Sequence, residues 1–265
     1  MYKLVVLDVD DTIVTKTNKL SKATVRAVAA VKERGIGVTL ASGRMYQTMR
    51  RLAGALEIKM PLISCNGALV RDDKKILFCR ALPPKAAQAA LDFFNAQGLV
   101  LQLYGRDGLY TKRKCAATWR LEQKEGLCCR VVADECYDNF CRGLLKMLLR
   151  VAPDEAAAHQ KAVAEHFAGR LNAAVSHGVC LEITGRGATK GKALAALAER
   201  YGIRREDVLA IGDSPNDRAM LEWAGLGVAM GNAAADVLAA ADEVTLPIGE
   251  DGAAYALEKY ILNEG

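Results

Sequence analysis

Residues 8 to 12 read Asp8-Val9-Asp10-Asp11-Thr12 and follow directly on the apolar run Leu4–Leu7. Three carboxylates so closely spaced raise one another's pKa values unless something cationic is placed among them. A bound divalent metal is the usual remedy. Other polar groups recur at comparable places: Ser42-Gly43-Arg44 after the apolar stretch Gly37–Leu40, Lys190 at the head of a helical pattern, and Asp213, Asn216 and Asp217 after residues 208–211. Together they supply acidic metal ligands, a hydroxyl, a cation and helix N-termini, the groups needed to hold a phosphoryl group. Each alone has an ordinary explanation. The acidic pair can be a loop turn, Ser42-Gly43 a helix-capping turn, and Lys190 a solvated helix residue.

These groups converge only if the strands that carry them are neighbours, so the order of elements decides the matter. The β-rich run Leu4–Leu7 is followed by a helical pattern that Ser21 opens, with Val25, Val28, Ala29 and Lys32 on one face and Gly35 at its end. Gly37–Leu40 reads as a second strand, then a helix to about Leu56, then a strand over residues 61–64 leading into Asn66-Gly67. Strands alternating with helices predict βαβ units, an α/β fold and a parallel sheet. Open sheets of this kind bind ligands at the carboxyl ends of their strands.

After Phe78 the character changes. Pro84 suits the first turn of a helix that Gly98 ends, and residues 99–104 pair with Leu109–Thr111 across Gly105-Arg106-Asp107-Gly108. Strand-like runs at residues 144–151 and 179–183 flank a helix over 154–167. Hairpins with helices predict an α+β insertion, residues 82–182, with an antiparallel sheet. From Gly185 the alternation resumes: a helix over 190–201, a strand over 208–211, a helix over 215–224, a strand at Leu226–Ala229 and a last helix over 252–260.

Composition narrows the classes. With 265 residues, 51% apolar and 25% charged, the chain can build a sizeable core and shows no disordered tail. Asp8, Asp10 and Asp11 interrupt the first apolar run, and no stretch of the roughly 18 to 20 apolar residues needed to span a bilayer occurs, so a cytoplasmic protein with no membrane partner is expected. The net charge of +5 comes from scattered basic residues, with only Lys112-Arg113-Lys114 compact, which fits a small anionic substrate and no nucleic acid. The eight cysteines show no metal-site spacing and are expected to be reduced and mostly buried, the alternative being a soft-metal or redox cluster around Cys128, Cys129 and Cys136. His159, His166 and His177 are expected to have surface or packing roles.

In order along the chain, DVDDT, a strand ending in SGR, TKGKAL and GDSPNDRAML resemble the four signature motifs of the haloacid dehalogenase superfamily. Asn66-Gly67-Ala68, the stretch Gly227-Val228-Ala229-Met230-Gly231-Asn232-Ala233, and Glu250-Asp251-Gly252 are similar to its Cof-type group, type IIB. The resemblance implies a Rossmann-like doubly wound parallel core, residues 1–81 and 183–265, with the α+β insertion as a cap. It implies Asp8 as nucleophile and Asp10 as general acid and base. Ser42 and Lys190 would bind the phosphoryl oxygens. Asp8, the backbone carbonyl of Asp10, and Asp213 would hold Mg²⁺, Asp217 would support it through its water shell, and Asn216 would fix that loop. Gly43, Arg44, Asn66 and Asn232 are further candidates for phosphate or substrate contact. Asp11 departs from the pattern, standing where many members have glycine, and a capping or solvent-exposed side chain is expected there.

The implied activity is a Mg²⁺-dependent phosphatase acting on a small phosphorylated metabolite, a sugar phosphate or a phosphorylated cofactor, through an aspartyl phosphate. A phosphomutase or phosphotransferase of the same superfamily is the alternative. A phospho-aspartate signalling module is disfavoured, because a stable switch gains nothing from the built-in acid and base of Asp10. Monomer and homodimer both remain open.

Overall fold

The computed structural model describes residues 1–132, 141–176 and 179–263. The chain divides into two compact units, Met1–Phe78 with Thr189–Gly265, and Cys79–Ala188. In chain order the first contains β1 (Leu4–Leu7), α1 (Lys22–Glu33), β2 (Gly37–Leu40), α2 (Tyr46–Ala55), β3 (Leu62–Ser64), β4 (Leu69–Arg71) and β5 (Ile76–Cys79), the last ending one residue into the insertion. The second contains α3 (Pro84–Asn95), β6 (Leu101–Tyr104), β7 (Leu109–Thr111), α4 (Ala116–Glu125), β8 (Cys129–Val131), β9 (Lys146–Arg150), α5 (Ala156–His166), β10 (Leu171–Ser176) and β11 (Cys180–Gly185). The chain then returns to the first unit with α6 (Lys190–Arg200), β12 (Val208–Gly212), α7 (Arg218–Leu221), β13 (Leu226–Ala229), α8 (Ala235–Leu238), β14 (Glu243–Val244) and α9 (Gly252–Leu257).

The first unit is built on a five-stranded parallel sheet in the order β14-β13-β12-β1-β2. β1, an inner strand next to the central β12, is the run LVVL, buried at every position, as a parallel strand covered on both faces requires. The register sets Leu7 opposite both Leu40 and Ile211, so β1, β2 and β12 end side by side. β1 and β12 come from opposite sides of the insertion, so this sheet needs both outer pieces of the chain. The strand expected at residues 61–64 belongs to a small separate sheet, β3-β4-β5, which is joined to the large one by a bridge between Ala41 and Ile63 and by Ile63 and Val70 packing in the same cluster as Leu4 and Val6.

Three helices differ from expectation, and one of them, α4, stands where no helix is expected from the sequence. In α1 the buried stripe is Thr24, Ala27, Val28 and Val31, while Val25 lies 37% exposed; the i, i+3, i+4, i+7 spacing starts one residue earlier than Val25 suggests. The expected start at Ser21 holds, because its Oγ accepts from the Thr24 N–H at 3.0 Å. The helix expected over residues 215–224 is only the single turn of α7. Residues 215–217 form a turn instead, held because the Asp217 N–H donates to the Ser214 carbonyl at 2.8 Å.

The second unit is a six-stranded sheet in the order β10-β11-β9-β6-β7-β8, antiparallel except for β7 with β8. The β6–β7 hairpin closes as expected, the Gly105 N–H donating to the Gly108 carbonyl at 2.9 Å. Leu101, Leu103, Met147, Leu149, Leu181 and Ile183 pack with Ala87, Leu91 and Phe94 of α3 and Val163 of α5. On the alternate positions of β9 and β11, Lys146 meets Glu182 at 3.2 Å and lies 4.2 Å above the Tyr104 ring. His159 and His166 take packing positions against Phe94 and Phe93, while His177 lies outside the described residues.

Among the described residues the cysteines are free, and Cys65, Cys129, Cys141 and Cys180 are buried. Burial pushes the Cys129 thiol up to about 12, which keeps it protonated and a poor metal ligand. Cys136, the third residue of the suggested cluster, lies outside the described residues. None of the described helices is long and apolar enough to cross a membrane.

Candidate active site

Because β1, β2 and β12 end together, the residues that follow them meet at one edge of the sheet. The Asp8 N–H donates to the Ile211 carbonyl at 2.9 Å and the Ala41 N–H to the Leu7 carbonyl at 2.9 Å, so the ladder continues into these segments. Asp8 is one residue past β1, Ser42 two past β2, and Asp213 one past β12. Lys190 arrives as the first residue of α6, whose start is fixed by the Thr189 Oγ1 accepting from the Lys192 N–H at 3.2 Å.

Lys190 is 1% exposed, and its ammonium bridges Asp8 at 2.6 Å and Asp217 at 2.5 Å. The second Asp217 oxygen accepts from the N–H groups of Asp213 and Ser214 at 3.1 and 2.9 Å. Asp217 is therefore engaged on both oxygens and shapes the loop. Asp213 in turn accepts from the Thr12 hydroxyl at 2.9 Å and the Ser214 hydroxyl at 3.1 Å. A Cβ on Gly212 would fall 2.6 Å from the Asp217 carboxyl carbon, so the glycine before Asp213 leaves the space that Asp217 fills.

Asp8, Asp213 and Asp217 place carboxylate oxygens within 4.8 Å of one another, all three buried. Three carboxylates against one ammonium leave the cluster anionic. Burial raises the Asp8 carboxyl well above the ordinary range, Asp217 adds to this, and Lys190 opposes it. Burial and then Asp217 push the Asp213 carboxyl up to about 6. Burial alone would pull the Lys190 ammonium down, but Asp217 and Asp8 outweigh it and hold it above its usual value. An all-oxygen donor set this anionic and this dry suits a hard divalent cation.

The other sequence candidates take distinct positions. Asp10 is outside the metal-type cluster: its side chain is 27% exposed and paired with Arg44 at 2.8 Å. Arg44 therefore faces a carboxylate here. Ser42 is buried, and its Oγ accepts from the Arg44 N–H at 3.2 Å, with Gly43 between them. The Asn66 N–H donates to the Ser42 carbonyl at 3.0 Å, and its side-chain oxygen accepts from Asn216 Nδ2 at 3.0 Å, so Asn66 and Asn216 join two loops. Asn232 lies away from the carboxylates' bonding network: its Nδ2 donates to the Asp11 carbonyl at 2.9 Å, and its Oδ1 accepts from the Ile248 N–H at 2.8 Å.

Asp11 adopts φ of 59°, in the left-handed region. Glycine enters that region freely and aspartate is among the residues that tolerate it, which accounts for the departure from glycine at this position. No helix follows it to be capped; Asp11 through Ile13 turn, and Val14 bridges to Asp10 and Leu20. Thr12, Asn18 and Ser214 join this network without having stood out in the sequence. Thr12 and Ser214 had a signal only in their places inside DVDDT and GDSPNDRAML.

A family model described as haloacid dehalogenase-like hydrolase matches residues 5–257. A Streptococcus pyogenes serotype M6 protein, provisionally named a phosphatase, is 26% identical over 98% of this chain and 99% of its own. A haloacid dehalogenase-like hydrolase from Bacteroides thetaiotaomicron, known by its crystal structure, superimposes with a TM-score of 0.86 at 29% identity, covering 98% of this chain and 99% of that one. A sugar phosphatase of subclass IIB, BT4131, gives a TM-score of 0.86 at 25% identity, covering 97% and 98%.

Proposed function

The chain belongs to the haloacid dehalogenase-like hydrolases as a Cof-type phosphatase, and on that premise we propose that it hydrolyses a small phosphorylated metabolite through a phosphoryl group carried on Asp8. The observation that carries this reading is the buried contact of Lys190 with Asp8 and Asp217, beside Asp213. A carboxylate attacks an anionic phosphate ester poorly unless positive charge offsets the repulsion between them. Lys190 supplies part of it and holds Asp8 in a fixed direction.

Mg²⁺ is the cofactor this donor set fits, held by Asp8, Asp213 and the Asp10 carbonyl, and when bound it would polarise the phosphoryl oxygens and offset their charge. Asp217 stays with Lys190 and the loop amides, which suits outer support better than direct ligation. Ser42, buried at the adjacent strand end, donates its hydroxyl to a phosphoryl oxygen. Asp8 attacks phosphorus and the ester oxygen departs with a proton from Asp10. Water then attacks the phospho-Asp8, giving its proton back to Asp10. The insertion acts as a cap that reads the leaving group and excludes bulk water. The sugar phosphatase among the similar structures makes sugar phosphates the first class to try.

The test is phosphate release from a panel of phosphorylated metabolites, with Mg²⁺ and with excess chelator, for the wild type and Asp8→Asn. Release that needs metal and vanishes in Asp8→Asn supports the proposal. Release that survives in Asp8→Asn removes the nucleophile, and transfer between metabolites without free phosphate makes the enzyme a mutase.

A further inference from the structure

Arg44 is nine-tenths buried, and its guanidinium addresses both oxygens of Asp10: Nε donates to Oδ2 at 3.1 Å and a terminal nitrogen to Oδ1 at 2.8 Å. The same terminal nitrogen donates to Asn18 Oδ1 at 3.1 Å. Its backbone is fixed on both sides, the N–H on Ser42 Oγ at 3.2 Å and the carbonyl accepting from the Cys65 N–H at 3.0 Å. A two-toothed guanidinium pair fixes the plane of a carboxylate as well as its distance, which a single point charge does not do.

We propose that Arg44 is a positioning residue for Asp10, orienting its carboxyl group towards the leaving oxygen and stabilising the charge that appears there, with Asn18 bracing the guanidinium. The inference rests on the phosphatase reading above and gives Arg44 a role separate from phosphate binding. In the first step the ester P–O bond breaks, the Asp8 O–P bond forms and the Asp10 proton passes to the departing oxygen. A carboxylate is thereby created beside the Arg44 guanidinium. In the second step the water O–P bond forms, the Asp8 O–P bond breaks and the water proton returns to Asp10. Each oxygen that Arg44 engages keeps a second lone pair for that proton.

The role can be read through the leaving group. An alkyl ester needs a proton donor as its oxygen departs, whereas p-nitrophenolate departs without one, and kcat/KM reports the chemistry up to that departure. Arg44→Lys keeps the charge and loses the fork. For the best alkyl monophosphate of the panel, its kcat/KM is expected to fall about 10- to 100-fold, against less than about 3-fold for p-nitrophenyl phosphate. Asn18→Ala is expected to show the same asymmetry more weakly. Adding Arg44→Lys to Asp10→Asn should cost little beyond Asp10→Asn alone, because both act on one step. Equal losses on the two esters, or losses that multiply with Asp10→Asn, would overturn the assignment while the phosphatase reading stands. A wild type that releases phosphate from no alkyl ester defeats both.

Discussion

Asp213 is the residue whose titration the site makes visible. With its carboxyl pushed up to about 6 by burial and Asp217, the metal-free protein holds a proton there that the unfolded chain has already released. The native state binds more protons between the ordinary carboxylate value and about 6, so this contribution to stability is present in acid and is lost as pH rises through about 6. A hard cation takes only the ionised form, so Mg²⁺ affinity runs the opposite way and weakens as pH falls through the same region. Thermal melts with and without Mg²⁺ at about pH 5 and about pH 7 should show the larger stabilisation at the higher pH. Asp213→Asn should flatten the difference. An equal Mg²⁺ shift at both pH values in the wild type would remove Asp213 from the metal site. At this scale the sequence revealed residues that announce themselves by type and place: carboxylates directly after an apolar strand, and a lysine opening a helix. Thr12 has only its place inside DVDDT and Asn18 has no mark at all, because their bonds to Asp213 and Arg44 exist only once distant segments are folded together. Arg44 stands out for its charge, but its partner Asp10 could not be read from spacing.

Among elements, the start of α6 decides where Lys190 stands, and Gly67 bears on it directly. Gly67 adopts φ of 86°, and a Cβ there would lie 2.2 Å from the Thr189 carbonyl oxygen and 2.8 Å from the Lys190 nitrogen. Gly67→Ala therefore combines backbone strain of about 1–2 kcal/mol with overpacking of about 1–3 kcal/mol. Gly35 offers the matched control, with φ of 75° and nothing within 4 Å of the place a Cβ would take. Denaturant unfolding should show Gly67→Ala destabilised by roughly 2–5 kcal/mol and Gly35→Ala by about 1–2 kcal/mol. Only Gly67→Ala should also lose phosphatase activity. Similar losses in both variants would mean that the α6 start yields without strain and that Gly67 serves its own turn alone. Strong local punctuation made most core elements legible, as with Ser21, Gly35 and the run LVVL. The single-turn α7 was not, since an apolar helical pattern at residues 218–224 continues past the point where Asp217 commits the preceding residues to a turn. β8 and β10 escaped for a related reason: short strands of mixed polarity gain their stability from pairing partners, β7 and β11, that no local pattern names.

At the scale of the whole molecule, the chain enters and leaves the insertion between the strands of one sheet. β1 is flanked by β2 from its own segment and by β12, which follows the insertion in sequence. The outer segments therefore depend on each other, whereas Cys79–Ala188 has a sheet and a hydrophobic cluster made wholly of its own residues. That asymmetry predicts different behaviour for fragments. Residues 79–188 alone should fold and melt cooperatively, with an unfolding enthalpy on the order of 70 kcal/mol. Residues 1–78 alone should not, because β1 would expose one full edge and an apolar face that β12 and its neighbours cover. Calorimetry and circular dichroism on the two fragments check both halves. A cooperative transition in residues 1–78, or a broad baseline in residues 79–188, would contradict the arrangement. An insertion able to hold its shape without the outer sheet can vary its polar face, including Lys146 and Glu182, without disturbing the strand ends that carry Asp8, Ser42 and Asp213. Lys146→Ala is therefore expected to destabilise residues 79–188, because it takes the buried ammonium away from Glu182, while leaving the Mg²⁺-dependent stabilisation of the whole chain unchanged; a loss of that stabilisation in a thermal melt would show that the two units are not independent.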